Sequence, residues 1–499
     1  MLALMLAACS GSPEKANELA ATAQQQLDAG QITAAQKTIA EAIKERDDMV
    51  ALHVLRARIE MAANNLNGAY KAYQDALGLD AANLEALQGV AQLGLRVGDL
   101  RASEDAAERI LNLQPGQIDA LLITGVHHLI HNRAEEALAV ADRVLKLDAG
   151  NEGGTILKAR ALFLDDRPEE ALEAVQAREK LVGRSEPVAV TELELLRERH
   201  DAKGMLEVFA WLRANAPANI DRALDEANLR FKTGDTPGGR ALLLGILRGA
   251  KPDAEQLNTV TGLWREYDPS PLSSADKLAL TKAAPNIRIA LARHFLRSGQ
   301  PEAAAAFVDP GVSLEEKGLG ARIAALESNA ERAKSLSDAV LEVDETQCDA
   351  LVARAATTQA RAGVTAAQRA IAECPSDPAP ALALAGAYAR LRDVRGVERS
   401  YSDAVARIPQ DRQLSAAFIS WLTQQGRSRE AVAEARRLTR KAPALLSAWR
   451  AYLQICQATP SESCANEAQA GLDAARDMLA IDPAPGTVPD RGLTGRLQH

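Results

Sequence analysis

The chain has 499 residues, with 58 Lys and Arg against 67 Asp and Glu and a formal charge of −9 at pH 7. No long basic run interrupts that balance, which excludes nucleic acid as the main ligand, because phosphate binding needs clustered Lys and Arg. Hydrophobic residues make up 47% but aromatic ones only 3%, so the core is expected to be a thin layer of Ala and Leu. No run of about 18 apolar residues is present to form a membrane-spanning helix.

The chain opens on an apolar run, Met1 to Cys9, followed by Ser10, Gly11, Ser12 and Pro13. Leu6, Ala7, Ala8 and Cys9 resemble the lipobox of bacterial lipoproteins. The resemblance implies cleavage before Cys9, a diacylglycerol on its sulfur and a further acyl chain on its amino group, which together anchor where one chain does not. Ser rather than Asp after Cys9 further implies the outer membrane. The run is short for a signal peptide and lacks a basic segment before it, so the true start is expected upstream. The other reading is an unprocessed N-terminus with a chance Cys. Residues 1–15 are then a signal remnant and tether.

From Ala16 the chain falls into a register of 34 residues, seen most cleanly in Leu84 to Gln117. Leu87, Val90, Ala91 and Gly94 keep the spacing that places apolar or small residues on one helix face. Gly98 ends that helix as a left-handed cap. Ser103, Ala107, Ile110, Leu111 and Leu113 mark a second amphipathic helix, which Pro115 stops. At the turn position the chain has Gly30, Asn64, Gly98, Asn132, Asp166, His200 and Gly234. Except for His200 these are the types that best tolerate positive φ, and His too is enriched there. Where the first helix meets the second stand Ala23, Ala57, Ala91, Gly125, Ala159, Leu193 and Ala227. Facing them come Ala35, Ala69, Ser103, Ala137, Ala171, Met205 and Gly239. Both columns are small apart from the sixth repeat.

This helix-turn-helix period with small residues at its contacts resembles the tetratricopeptide repeat (TPR) family. The resemblance extends from about Ala16 to Pro483, with Leu, Val and Ala at most of the family's aromatic positions and Tyr73, Phe209 and Tyr401 among the exceptions. It implies an all-α, right-handed superhelical solenoid of about 14 helix-turn-helix units that holds other proteins. An N-terminal arm is expected over 16–266. Pro269 and Pro271 break the eighth repeat, and Gly299 takes the turn role three residues early, so 267–313 is expected to be a joint or simply two degenerate repeats. A C-terminal arm follows over 314–484, including a shortened unit with Gly363 near its turn. The stretch 485–499, rich in Pro, Gly and Thr, is expected to be a disordered tail.

Four cysteines remain besides Cys9. Cys348 opens a first helix and Cys374 closes its partner; Cys456 lies near the end of a first helix and Cys464 near the start of its partner. Ends that meet across an antiparallel hairpin are neighbours, so disulfides Cys348 to Cys374 and Cys456 to Cys464 are expected, in keeping with an oxidising periplasm. Four buried free thiols are the alternative. His127 and His131 share a helix face beside His128, but no third ligand stands at matching spacing, so no metal site is expected. Asp165 with Asp166 and Glu315 with Glu316 read as solvated carboxylates rather than an acid and base. No nucleophile elbow, P-loop or dinucleotide-binding glycine pattern is present. Neither enzyme activity nor a cofactor is expected.

Function is therefore expected on the concave surface, which in the TPR family is lined by residues 2, 5, 9 and 12 of each first helix. In the fourth and fifth repeats that rule includes Leu122, Val126, Leu129, Ile156, Arg160 and Phe163, a groove for an apolar helix or extended peptide. The same apolar residues could instead pack between repeats. Further on it gives the more polar Glu194, Arg197, Asn228, Phe231, Asn258 and Arg265. The sequence thus reads as a lipid-anchored, periplasm-facing outer-membrane scaffold whose partner is an envelope protein or complex. The alternative is a glycan- or small-ligand-binding lipoprotein, for which Trp211, Trp264, Trp421 and Trp449 supply the only indole rings.

Overall fold

A computed structural model describes residues 12–215, 219–268, 272–358, 360–458 and 462–477. Cys9, the prolines at 269 and 271 and the tail 485–499 lie outside the described residues. Among the described residues the structure is all-α, with 28 helices, two to a repeat. The chain divides into two compact units, one up to Arg199 and one from His200.

The first unit carries α1 (Pro13–Asp28), α2 (Ile32–Glu45), α3 (Val50–Ala62), α4 (Leu66–Leu79), α5 (Leu84–Val97) and α6 (Leu100–Leu113). It continues with α7 (Ile118–Ile130), α8 (Ala134–Leu147), α9 (Glu152–Leu164), α10 (Pro168–Val182) and α11 (Glu186–Glu198). Its repeats form for local reasons. The Asn83 side chain accepts from the Ala86 amide at the start of α5, and Asp99 accepts from Ala102 at the start of α6. Each satisfies one of the donors that a helix N-terminus leaves unpaired. Between them Gly98 takes φ 86°. The expected turn series behaves as one: Asn64, Asn132, Asp166 and His200 lie at φ between 55° and 58°, and Gly30 and Gly234 at 71° and 88°. The small columns are buried as expected. A Cβ on Gly94 would lie 2.8 Å from that of Ser103, so the two helices of the third repeat touch backbone to side chain. There Ser103 Oγ donates to the Ala91 carbonyl at 2.6 Å. Leu113 differs from expectation: it lies at the end of α6 and is 55% exposed.

The second unit begins with α12 (Ala202–Asn215), α13 (Ile220–Lys232), α14 (Thr236–Gly249), α15 (Ala254–Tyr267), α16 (Ser274–Leu280), α17 (Pro285–Arg297) and α18 (Pro301–Ala305). Then follow α19 (Leu314–Leu326), α20 (Ala330–Leu341), α21 (Cys348–Thr357), α22 (Ala360–Glu373), α23 (Pro378–Arg390) and α24 (Val394–Arg407). It closes with α25 (Arg412–Gln424), α26 (Ser428–Lys441), α27 (Leu446–Ala458) and α28 (Glu462–Asp477). Its second helices are uneven; α16 and α18 are stunted. The segment 267–313 lies inside this unit and shares a core with its neighbours. Trp264, wholly buried, packs with Phe295, Phe307, Leu291 and Leu319, and the Phe295 and Phe307 rings stack at 5.7 Å. That core holds the rings of Phe231, Trp264, Phe295 and Phe307 among its Leu and Ile, so it is not the thin Ala and Leu layer that composition suggested.

Gly363 lies near the turn, in the first turn of α22, and a Cβ there would come 2.5 Å from the Thr358 carbonyl. Only Gly lets the shortened hairpin bring that carbonyl so close.

Candidate partner-binding surfaces

In the first unit, α7 and α9 bring the expected groove residues together but sink several of them. Leu129 is 2% exposed and belongs to the core with Ala137, Ala141 and Leu157. Leu122 leans over Gly153, where a Cβ would meet it at 2.7 Å. These two pack between repeats. Val126, Ile156 and Phe163 remain half-buried, and Ile156 and Phe163 rest on the core around Leu162 and Val175. Arg160 faces Glu194 of the next repeat, Nη2 to Oε2 3.9 Å, with both side chains about nine-tenths buried. What remains open to a partner is a narrow apolar strip bordered by one ion pair.

The histidines are held by protein groups. His127 is buried with Nε2 3.0 Å from Ser103 Oγ, and His131 Nδ1 lies 2.8 Å from the His127 carbonyl. Burial pulls the His127 pKa down. Among the described residues no group of three or more His, Cys, Asp or Glu is placed to hold a metal ion. No described helix is long and apolar enough to cross a membrane. Asp165 bonds to Arg167, Nη1 to Oδ2 3.2 Å, and Glu315 to Arg293 at 3.0 Å. Asp166 occupies the turn position. Glu316 is buried, accepting from Arg288 at 2.8 Å and from the Asp309 amide at 2.7 Å. It is a structural ion pair rather than the solvated carboxylate expected, because the turn after α18 folds over it.

In the second unit the sulfurs of Cys348 and Cys374, and of Cys456 and Cys464, lie at disulfide distance, with Cα atoms 5.9 and 5.4 Å apart. Of the tryptophans, Trp264 is sealed in the core, and Trp449 covers Gly471 and donates to the Pro443 carbonyl at 2.7 Å. Trp421 is half-buried beside Tyr401 and Phe418, and Trp211 is half-buried on α12. A cavity of about 600 Å³ opens among α12, α13 and α14. Phe209, Leu212, Ile220 and Leu242 line it, and Gly245 leaves its wall open. At its edge Arg213 binds the buried Glu226 at 2.6 Å.

A second surface in this unit has no signal in the repeat pattern. The end of α15 meets the starts of α25 and α27, more than 140 residues away along the chain. Glu266 accepts from the Ser447 amide at 2.7 Å and pairs with Arg412 at 3.1 Å. Arg412 also donates to the Arg265 carbonyl at 2.8 Å. Tyr267 packs with Leu446 and Leu472 beneath. Arg265, which the family's groove positions pointed to, stands beside this closure with Arg297. Burial, then Arg297, then Arg412 push its pKa down to about 10. Arg297 and Arg412 were not singled out, since nothing local distinguishes them from other helix-end arginines.

Stacked helix pairs, positive-φ turns and small contact columns define the fold: an all-α helix-turn-helix solenoid of the tetratricopeptide-repeat type. No protein-family model and no curated protein matches the chain. Solved TPR structures do. One is a tetratricopeptide repeat protein from Parabacteroides merdae ATCC 43184, 14% identical, covering 66% of this chain and 99% of its own, with a TM-score of 0.32. PilW, a type IV pilus biogenesis factor, is 17% identical over 42% of this chain and 96% of its own, with a TM-score of 0.36. MamA is 15% identical over 34% and 92%, with a TM-score of 0.33.

Proposed function

We propose that this protein is a scaffold that binds and organises other proteins of the bacterial envelope. In this reading lipid on Cys9 anchors it to the outer membrane facing the periplasm, and its partner belongs to an assembly, export, transporter or secretion complex. The observation that carries the binding role is the half-buried strip of Val126, Ile156 and Phe163 on successive first helices, which an apolar partner helix or extended peptide would cover. The lipobox-like residues before Cys9 and the two cysteine pairs at disulfide distance support the envelope setting. Affinity purification of the tagged protein from mildly solubilised membranes is expected to bring down a partner in stoichiometric amount. Val126→Ser with Ile156→Ser should weaken that capture about tenfold, about 1.4 kcal/mol, while helicity is retained. Loss of helicity would show that these residues serve packing instead. Cys9→Ala should release the protein from membranes, and alkylation without reduction should leave the other four cysteines unlabelled.

The cavity among α12, α13 and α14 favours a second reading, a small amphipathic ligand held there. A ligand-dependent change in the fluorescence of Trp211, on the wall helix α12, together with recovery of the protein alone from membranes, would select that reading.

A further inference from the structure

Leu113 is not alone in standing out from the end of its helix. Leu79, Leu113, Leu147 and Leu181 follow one another at the 34-residue period in the last turns of α4, α6, α8 and α10, and all are between 44% and 60% exposed. A single exposed leucine is ordinary on a protein surface, but four at one repeat position make a row, and rows of this kind mark contact surfaces. In the same register Glu45 precedes the row and Asn215 follows it, so the row has polar ends. Its rungs are tied together. Arg109 and Arg143 donate to the carbonyls of Ala81 and Pro115, and Arg178 Nε donates to that of Gly150 at 3.3 Å. Each arginine leaves the last turns of one second helix and reaches the turn that follows the previous one, so the four helix ends form one edge of the first unit.

Charge changes sign along that edge. Over 41–49, just ahead of the row, four acidic residues outnumber two basic ones, and over 75–83 Asp75 and Asp80 stand with no Lys or Arg. Over the equivalent stretch 109–117 Arg109 is unopposed; over 143–151 Arg143 and Lys146 exceed Asp148; over 177–185 Arg178, Lys180 and Arg184 exceed Glu179. The row is therefore acidic at Leu79 and basic at Leu181, and Asp80, Lys146 and Lys180 are exposed there. A twofold axis lays one copy of such a row on another in reverse. Acidic end then meets basic end, and identical residues at one spacing still meet leucine to leucine. A parallel arrangement would set like charge on like.

We propose that this edge joins two copies of the chain, antiparallel about a twofold axis midway between Leu113 and Leu147. Leu79 packs on Leu181 of the second copy, Leu113 on its Leu147, and Asp80 faces its Lys180. The contact uses the ends of second helices and is independent of the first-helix strip offered to other proteins.

Sedimentation of the full chain carrying Cys9→Ala, which keeps lipid and detergent out of the measurement, reads the association. A dimer is expected. Leu113→Glu with Leu147→Glu should raise its dissociation constant at least about a hundredfold and leave helicity unchanged, since both side chains are exposed. Lys180→Glu and Asp80→Lys should each raise it about tenfold, and the two combined should restore it, because the exchanged charges again face each other. These charge variants decide the matter even if the leucine pair loses helicity. A monomer at every concentration, a dimer indifferent to the leucine pair, or a combined charge variant weaker than either single one would overturn the proposal. A monomer that binds phosphatidylcholine vesicles unless Leu113 and Leu147 are replaced would give the edge to a lipid surface and overturn it likewise.

Discussion

The two units solve the same problem differently. Among the described Asp, Glu, Lys and Arg of the first unit only Glu192 and Glu194, in its last helix, are buried, and the core is Ala, Leu and Ile between helices of even length. The second unit buries Glu226, Asp268, Glu316, Arg322, Asp349 and Glu434, and places Trp264, Phe295 and Phe307 in one cluster. Equal repeats can share one packing rule, so each interface is small and alike. Unequal repeats leave gaps of differing shape, which rings fill, and polar groups that only ion pairs can satisfy. The boundary between the units falls in the sixth repeat, the one whose contact columns hold Leu193 and Met205.

The sharpest way to break this comparison is Trp264→Ala. It should cost the second unit roughly 3 to 5 kcal/mol through lost burial and a cavity, read by hydrogen exchange, with protection in α1 to α6 unchanged. Equal loss in both units would mean that they do not differ in how their cores are concentrated. Asp349→Ala comes next. Asp349 holds Arg322 at 2.9 Å and Arg293 at 3.2 Å. Burial raises its pKa, but the two arginines outweigh that and hold it below the usual carboxylate range. Removing it leaves the buried Arg322 with only the longer pair to Asp377 at 3.5 Å, and a loss of about 3 kcal/mol in urea unfolding is expected.

Acid should also separate the units. Burial, then Arg265, push the pKa of His294 down to about 4. The unfolded chain takes up its proton near pH 6.5, before the folded protein does. The stabilisation is therefore full above about 6.5 and is lost as pH falls toward 4, on the order of 3 kcal/mol in all. His294→Phe should flatten the pH dependence of the second unit. His127 gives the first unit a contribution of the same sign, so its melting point should also fall in acid, but independently of residue 294.

Gly98→Ala is a smaller test, in the most regular repeat. With φ at 86° a side chain costs about 1 to 2 kcal/mol, and the melting temperature should fall accordingly. Smallest is Arg58→Ala. Arg58 pairs with Glu85 of the next repeat on the surface, and exposed pairs contribute under about 1 kcal/mol. A larger loss would show the even repeats leaning on charge after all.

Much of the architecture was legible because its causes are local. A residue that must take positive φ is most often Gly, Asn or Asp, with His200, Ser328 and Arg392 the exceptions, and outside the sixth repeat the close helix contacts admit Ala, Gly or Ser. The cysteine pairs were legible for the same reason, since each joins the two helices of one hairpin. The groove was legible in position but not in exposure: the rule that names Leu122 and Leu129 cannot say that Gly153 and Ala137 let them sink.

The sequence by itself determined the repeat, its turns, its small contact columns and its hairpin partners, because each depends on neighbours within one or two helices. Only the tertiary structure decided that Arg412 and Ser447 would reach Glu266. That meeting depends on the rotation accumulated over every uneven repeat between them, a sum that no single stretch of sequence contains.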